Sequence, residues 1–329
     1  MWTLKEEFSR FEIGQSSQFR NLTLFPLLSR NAPFGDPDYL LLEDAVTQGK
    51  VLIAELPGGG SVPELNVTNR ADLPVLLVDG EELIGAKQNR VLNLTILAPA
   101  KRSTTIPVSC VEAGRWNLVN PAVQPSGQVM YTGLRGKRVS QVTQSIRFAG
   151  SRCSDQAALW KDIADKSERL GVASPTRAMS AIYEQHANFV EEFARAFTWQ
   201  RGQIGAAFAI GGNIVGLDVF DHPEVMRRFL GKLVRSYALD LKDGPNDNVV
   251  QTTVDSLKFF LAGICDAPTS SEQALGLGKD VRFFAPQICG AALWAQERYV
   301  HICAFAQVER QKPSSFWTRL SRSSQRRRF

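Results

Sequence analysis

Two short polar segments flank a pair of apolar segments, and together they hold most of the residues that could do chemistry in this chain. The first, residues 85–90, reads GAKQNR, and the second, residues 110–116, reads CVEAGRW. Arginine presents paired planar donors that suit a phosphate or carboxylate group, lysine adds a positive charge, and a glutamate can act as a base. The candidate site residues are Lys87, Gln88, Asn89, Arg90, Glu112, Arg115 and Trp116.

These residue types predict a binding site for a small anionic ligand. The lysine and the two arginines would hold the anionic groups, and the two amide side chains would orient them. Glu112 would be the catalytic base if a reaction takes place, and Trp116 could stack on a base of the ligand, although an aromatic residue beside a strand end is more often core. The alternative is that Arg90 and Glu112 form a structural ion pair that closes the end of a sheet.

The two apolar segments between the polar ones alternate in polarity or are rich in β-branched residues, which predicts two strands joined by a loop over residues 98–103. Side chains alternate strictly across a strand, so residues two apart share a face. The register that follows places Arg90 opposite Cys110 and Gln88 opposite Glu112. The polar side chains would then converge at one end of the sheet.

Three further acidic residues lie in or beside apolar segments. Asp218 interrupts the apolar segment 214–219, so it could join the site or accept hydrogen bonds from the start of the next helix. Glu81 and Glu82 follow a turn and could act as acid/base groups or hold a divalent ion. Acidic residues at turns are usually solvated, and we interpret these two as solvated.

No motif indicates a metal site or a cofactor. The five cysteines are dispersed, and no Cys-x-x-Cys or His-Glu-x-x-His segment occurs, so we assign no metal and leave the cofactor unknown. An odd, dispersed set of cysteines suits reduced thiols in a cytosolic protein. The first residues lack a secretory signal, and the most apolar window, residues 204–220, is too polar to span a bilayer. We therefore expect a cytoplasmic protein without a transmembrane segment.

The positive charge of the chain is concentrated at its C-terminal end. The formal net charge is +5, and residues 310–329 contain seven basic and no acidic side chains, which leaves the rest of the chain at −2. A body without excess positive charge disfavours a nucleic-acid-binding domain. Only the tail, Arg310 to Phe329, suggests weak contact with nucleic acid or an anionic membrane surface, and short basic termini are usually disordered.

The pattern along the chain predicts an α+β protein of two domains. Residues 1–150 read mainly as short antiparallel strands, which favours a β-sandwich or barrel-like domain, with one short helix near residue 42 and a long loop or irregular strands over residues 120–150. Residues 151–309 read as an α+β domain with about four helices and two hairpins. Residues 310–329 form the basic tail.

The chain resembles the ADP-ribosylglycohydrolase- and rhodanese-phosphatase-associated proteins, a prokaryotic family without an assigned activity. The two polar segments carry the resemblance together with DGE at 79–81, NIVGLDVF at 213–220 and KLVRSY at 232–237. It extends over residues 19–308 and leaves the basic tail outside. The resemblance implies a link to prokaryotic conflict or stress systems built around nucleotide-derived or ADP-ribose chemistry.

Two hypotheses of function follow. In the first, the protein binds or processes a phosphorylated small molecule that is derived from a nucleotide or from ADP-ribose. In the second, it is a non-enzymatic scaffold or sensor that works with a protein partner, and the polar residues form an internal network. A buried and fully paired cluster would favour the second hypothesis, and unpaired arginines beside an open pocket would favour the first.

Overall fold

The computed structural model describes residues 1–31, 33, 35–56, 61–117, 120–244 and 250–307. The predicted basic tail, residues 310–329, lies outside the described residues. Within them the helices are α1 (Leu4–Phe8), α2 (Leu42–Thr47), α3 (Thr132–Ala149), α4 (Gln156–Arg169), α5 (Ser180–Gln185), α6 (Ala187–Ala196), α7 (Pro223–Leu241) and α8 (Val254–Asp266).

The strands within the described residues are β1 (Phe11–Ile13), β2 (Ser17–Phe19), β3 (Leu22–Ser29), β4 (Leu40–Leu41), β5 (Val51–Ala54), β6 (Glu64–Asn69), β7 (Val75–Leu77), β8 (Glu81–Ala86), β9 (Arg90–Leu92), β10 (Ile96–Ala98), β11 (Arg102–Cys110), β12 (Asn120–Val129), β13 (Gln203–Ile210), β14 (Asn213–Phe220), β15 (Thr269–Gln273), β16 (Lys279–Ala285), β17 (Ile288–Ala295) and β18 (Arg298–Ala306).

Six strands of the first half close into a barrel in the order β11-β6-β5-β12-β8-β9. Alternation along each strand sends apolar side chains inward, as in β5, where Val51 and Ile53 are buried while Leu52 is exposed. A small sheet of order β10-β7-β4 lies beside the barrel. The prediction of a barrel-like N-terminal part is therefore confirmed. The barrel core contains Val51, Ile53, Leu65, Val67, Leu83, Leu92, Ile106, Val108 and Val123.

The second layered unit is a nine-stranded sheet of order β1-β3-β13-β14-β18-β17-β16-β15, with β2 paired to β3. One face packs against α1 and α8 through apolar side chains, among them Leu257, Phe260 and Ile264. Helices α3 and α7 pack on strands of this sheet as well, through β17 and β18 for α3 and through β13 and β14 for α7. This α+β architecture agrees with the predicted class.

The first strands of the chain join the strands of the second half. Strand β3 pairs antiparallel with β13, so the large sheet takes its strands from both sides of residue 150. The division of the chain into domains at that residue stays a prediction. The predicted hairpins are confirmed, because β13 pairs with β14 and β17 pairs with β18.

Two predictions about the helices are wrong. Residues 120–150, predicted as a long loop or irregular strands, form strand β12, whose register shifts along its pairing with β8, and the 18-residue helix α3. The described residues contain eight helices, three before residue 150 and five after it, where one and about four were predicted. No helix of the described part of the chain has the length and apolarity needed to cross a membrane.

Candidate functional site at the barrel rim

The two polar segments meet at one end of the barrel. Strand β9 begins at Arg90 and β11 ends at Cys110, and these two residues are directly opposite each other. This confirms the predicted pairing of Arg90 with Cys110, while the predicted pairing of Gln88 with Glu112 lies beyond the paired residues. The predicted first strand is divided into β9 and β10, because β10 pairs with β7 rather than with β11. The turn after β8 depends on Gly85, which has a φ of +115° and whose added Cβ would lie 2.4 Å from the carbonyl oxygen of Ala122. We call Lys87, Gln88, Asn89, Arg90, Glu112, Arg115 and Trp116 the rim cluster.

Glu112 and Arg115 form the central ion pair of the rim cluster. One carboxylate oxygen of Glu112 lies 2.6 Å from Nη2 of Arg115 and accepts a hydrogen bond of 3.0 Å from the backbone amide of Asn89. Burial alone would raise the pKa of Glu112, but hydrogen bonds from Arg115 and Thr176 outweigh it and lower the pKa. Glu112 is therefore ionised at neutral pH, as a base must be, and three donors already bind its carboxylate.

Both terminal nitrogens of Arg115 also donate hydrogen bonds within the cluster and its flanking backbone. Nη1 donates to the carbonyl oxygens of Ala86 at 2.8 Å and Asn117 at 3.2 Å, and Nη2 donates to the side-chain oxygen of Asn89 at 3.0 Å. Gln88 donates from Nε2 to the carbonyl oxygen of Glu112 at 3.1 Å. These contacts tie the two polar segments together, so this half of the cluster is a polar network that is closed except at Oε1 of Gln88, which has no hydrogen-bond partner among the described residues.

Arg90 does not form the structural ion pair with Glu112 that the sequence offered as an alternative. Its ion-pair partner among the described residues is Glu55, at 3.6 Å, rather than Glu112, and its Nε donates to the carbonyl oxygen of Val62 at 3.1 Å. Burial lowers the pKa of Arg90, and the Glu55 carboxylate offsets only part of that shift. Nη1 and Nη2 have no hydrogen-bond partner among the described residues, although the residue is only 1% exposed. The donors on these two nitrogens of Arg90 are therefore not used within the described residues.

Trp116 and Lys87 form the outer part of the rim cluster. Trp116 is 43% exposed, and its ring lies 4.9 Å from Nζ of Lys87 and 5.7 Å from the guanidinium carbon of Arg90. Both distances suit cation–π contact. The indole ring is therefore held in place by two cations and leaves part of its surface to solvent.

Asp218 is not part of the rim cluster. Its two oxygens accept hydrogen bonds from Nη1 and Nη2 of Arg135, at 3.0 and 2.6 Å, and Nε2 of His301 lies 3.1 Å from one of them. Arg135 also donates from Nε to Asp79 at 2.8 Å, and Arg138 donates from Nη2 to the other oxygen of Asp79 at 2.8 Å. All five side chains are fully buried. We call Asp79, Arg135, Arg138, Asp218 and His301 the buried ion network.

A threonine closes the buried ion network into a ring. The hydroxyl oxygen of Thr95 accepts a hydrogen bond from the amide of Asp79 at 3.1 Å and lies 2.7 Å from Nδ1 of His301. The Thr95 hydroxyl can then donate its own hydrogen bond to Nδ1 of His301. In that tautomer the proton of His301 is on Nε2, which donates to Asp218. The ring links the barrel, helix α3 and the large sheet, and it explains how an aspartate is tolerated on an apolar strand.

Sequence reasoning missed the arginine members of this network. Arg135 and Arg138 lie in the segment predicted as a long loop or irregular strands, and their spacing of three residues would have placed them on one helix face. The prediction that Glu81 and Glu82 are solvated is also wrong, because both are buried. Glu81 accepts a hydrogen bond of 2.9 Å from the amide of Val78. For Glu82, neither carboxyl oxygen has a hydrogen-bond partner among the described residues.

The chain matches a model of one protein family over most of its length. The model describes the ARG and Rhodanese-Phosphatase-superfamily-associated Protein domain, and it matches residues 10–305. The chain belongs to this family. The family's name records an association with the ARG and rhodanese-phosphatase superfamilies. Neither a curated protein nor a solved structure matches the chain.

The segments that suggested this family from the sequence meet in space at two places. The two polar segments form the rim cluster. The others meet around the buried ion network, where Asp79 and Asp218 share Arg135 and where Nζ of Lys232 lies 3.6 Å from Glu81. The family resemblance thus covers both the end of the barrel and its junction with the large sheet.

The Glu112–Arg115 pair is expected to be energetically coupled. A double-mutant cycle with Glu112→Gln and Arg115→Met should give a coupling free energy of about 0.5–3 kcal/mol in urea unfolding, because the pair is largely buried. The exposed pair Lys161–Asp165 is the matched control and should show a much smaller coupling. Equal coupling in the two cycles would mean that the rim pair contributes no more than a surface pair.

Proposed function

We propose that the rim cluster binds a phosphorylated small molecule derived from a nucleotide or from ADP-ribose. The observation that carries this proposal is the state of Arg90, whose two terminal nitrogens have no hydrogen-bond partner among the described residues. A guanidinium group with free paired donors matches the oxygens of a phosphate group. The Trp116 ring lies 5.7 Å from this guanidinium group and 4.9 Å from Nζ of Lys87, and these two residues would complete the site.

The geometry divides the proposed roles among the rim residues. Arg90 and Lys87 would bind the anionic groups, and the exposed surface of Trp116 would stack on a base. Arg115, Asn89 and Gln88 would act as positioning residues, because they already bind Glu112 or its backbone. Since Arg90 is buried and its guanidinium carbon lies 5.7 Å from the Trp116 ring, the ligand would reach it beside that ring. Glu112 would serve as base if the ligand is processed.

The first test is thermal unfolding in the presence of nucleotides, NAD and ADP-ribose. A ligand at a hundredfold over its dissociation constant adds about 2.7 kcal/mol to the free energy of unfolding, which raises the melting temperature measurably. We expect a stabilising ligand in this panel, and we expect Arg90→Ala to abolish the shift. Trp116→Ala should weaken it, because stacking on one base contributes about 1–3 kcal/mol.

The matched control is Arg102→Ala. Arg102 is an exposed arginine at the other end of the same strand, β11, so its removal changes the net charge equally but leaves the rim cluster intact. It should keep the full ligand-induced shift. A shift that survives in Arg90→Ala would place the ligand elsewhere, and the absence of any shift across the panel would contradict binding of this ligand class.

A second function is supported by the closed half of the rim cluster. Glu112 and Arg115 neutralise each other, and the family is associated by name with two groups of enzymes. Under this alternative the protein is a scaffold or sensor that contacts a partner enzyme through Trp116 and Lys87. Co-expression with an ARG or rhodanese-phosphatase protein from the same genome, followed by size-exclusion chromatography, tests it. Co-elution that is lost in Trp116→Ala but kept in Arg102→Ala would support the scaffold.

A further inference from the structure

A cavity of about 460 Å³ lies where five neighbouring strands of the large sheet reach the same end. Strands β1, β13 and β18 begin there and β3 and β14 end there, because neighbouring strands of this sheet run antiparallel. The volume is within the range of small-molecule sites, roughly 300–1,000 Å³. None of the described residues that line the cavity belongs to the rim cluster. The sheet contributes Phe11, Ser29, Ile204, Phe220, Arg298 and Tyr299.

Aromatic side chains form much of the cavity wall. Phe220 and Tyr299 are almost fully buried, whereas Trp2 and Phe11 are partly buried. The guanidinium carbon of Arg10 lies 4.6 Å from the centre of the Trp2 ring, and the Arg10 side chain is more than half exposed. The cavity therefore opens to solvent beside Trp2 and Arg10 and is closed at its inner end by Phe220 and Tyr299. Such walls suit a flat apolar ring.

His222 lines the same cavity and holds a hydrogen-bond donor without a partner. Its Nδ1 accepts a hydrogen bond of 3.1 Å from the backbone amide of Glu224, at the start of α7, so the proton of the neutral imidazole ring is on Nε2. Nε2 has no hydrogen-bond partner among the described residues, although His222 is only 6% exposed. Native proteins rarely leave such a buried donor unsatisfied. A ligand in the cavity would match it with an acceptor.

The charged side chains of the cavity disfavour an anionic ligand. Glu7 accepts a hydrogen bond of 2.5 Å from Nε1 of Trp2, and Asp221 accepts one of 2.6 Å from Nε of Arg298. Burial raises the pKa of both Glu7 and Asp221, so another negative charge beside them would be unfavourable. The guanidinium group of Arg298 is already shared between Asp221 and Asp38. The carboxylates can, however, accept further hydrogen bonds from an N–H group.

We propose that this cavity binds an uncharged nitrogen heterocycle that carries both a hydrogen-bond acceptor and an N–H donor. The ring would pack between the aromatic side chains, its acceptor would take the unused hydrogen bond of His222, and its N–H group would donate to the Glu7 carboxylate. The site is separate from the rim cluster, and the proposal does not depend on the ligand proposed there.

Calorimetric titration of the full chain with ring compounds of different charge tests the ligand class. The uncharged heterocycles are adenine, cytosine and nicotinamide, and benzoate and benzamidine are the anionic and cationic rings of similar size. We expect at least one of the three heterocycles to bind at a ratio of one to one, more tightly than either charged ring. Tighter binding of benzoate or benzamidine, or binding of none of the heterocycles, would overturn the proposal.

Three variants test where the heterocycle binds. Trp2→Ala should lower its affinity by about 5- to 150-fold, the range for loss of one stacked aromatic side chain. His222→Asn should lower it by about 2- to 10-fold, because the amide oxygen of asparagine can still cap α7 while the Nε2 donor is lost. Trp116→Ala, which removes the exposed tryptophan of the rim cluster, is the matched control and should keep the wild-type affinity.

The same variants separate this proposal from the one for the rim cluster. Trp2→Ala should keep the thermal shift that a rim ligand produces, whereas Trp116→Ala should weaken that shift. Heterocycle binding that is lost in Trp116→Ala but kept in Trp2→Ala would place the heterocycle at the rim cluster and overturn the proposal for the cavity. Unchanged affinity in both Trp2→Ala and His222→Asn would overturn it as well.

Discussion

Replacing Asp79 with asparagine is expected to lower the free energy of unfolding by about 3–5 kcal/mol, because it leaves buried arginines without their charge partner. Asp79 is bound by Arg135 and Arg138, and all three side chains are fully buried. The amide of asparagine keeps the shape of the side chain but removes the negative charge. Urea unfolding measures the loss as a lower midpoint at an unchanged m value.

Asp72→Asn is the matched control for this substitution. Asp72 lies in the same part of the chain and is paired with Lys101, but its side chain is 92% exposed. It should unfold close to the wild-type midpoint, because water screens an exposed ion pair. If Asp79→Asn lost less than about 1 kcal/mol, the buried ion network would not be the junction between barrel and sheet that we describe.

The buried ion network also predicts how the stability of the protein changes at acid pH. Burial alone would raise the pKa of Asp79, but Arg138 and Arg135 outweigh it and lower the pKa below its usual value. A carboxyl group whose folded-state pKa is lowered contributes stability above its unfolded-state pKa and loses it as the pH falls through the folded-state value. The difference in stability between wild type and Asp79→Asn should therefore shrink as the pH falls below the usual aspartate range.

The end of the barrel could be predicted from the sequence because its signal is local. Strict alternation along two neighbouring segments fixes which side chains share a face, and a one-residue slip would have reversed it. That is why the placement of Arg90 opposite Cys110 is confirmed. The ion-pair partners were beyond reach, since Glu55 comes from strand-end residues distant in the chain and pairs with Arg90 only after the barrel closes.

Helix α3 could not be recognised because its buried face is polar. A helix is usually identified by an apolar stripe with a period of 3.6 residues. In α3 the buried positions include Arg135, Arg138, Ser140 and Ser145, so that stripe is interrupted by charge. The residues that hide the helix in the sequence are thus the ones that bind Asp79 and Asp218.

The pairing of the first strands with strands of the second half could not be predicted from the sequence either. Strand β3 is mostly apolar and its first six residues are buried, which is typical of a central strand, but its pattern does not say which sheet it enters. Its partner β13 lies more than 170 residues further along the chain. Pairing over such a distance depends on the whole fold and leaves no periodic trace in either segment.

The second prediction with a large effect concerns Glu82, whose replacement is expected to raise the free energy of unfolding rather than lower it. Its side chain lies in β8 with 0% exposure, and neither oxygen has a hydrogen-bond partner among the described residues. Burial raises the pKa of Glu82 to about 7; the Ser126 hydroxyl offsets part of this, while the Glu184 and Glu112 carboxylates add to it. At neutral pH the folded protein therefore holds this carboxyl group partly protonated.

The sign of the resulting pH dependence follows from linkage. A carboxyl group whose pKa is raised on folding binds its proton more tightly in the folded state, so stability is full below the unfolded-state pKa near 4.5 and falls as the pH rises to about 7. A pKa shift of this size corresponds to a loss of about 3 kcal/mol in the free energy of unfolding at higher pH. The cost is that of ionising a buried carboxyl group that has no hydrogen-bond partner among the described residues and that lies near two other carboxylates.

Glu82→Gln should therefore stabilise the protein by up to about 3 kcal/mol at pH 8 and change its stability little at pH 4.5. Urea unfolding at both pH values checks this, with Glu168→Gln, an exposed glutamate of α4, as the control that should show no such difference. A variant that is equally destabilised at both pH values would mean that the Glu82 carboxylate has a compensating partner. A pH-dependent gain would show instead that the barrel wall beside Glu112 tolerates the carboxyl group only while it is protonated.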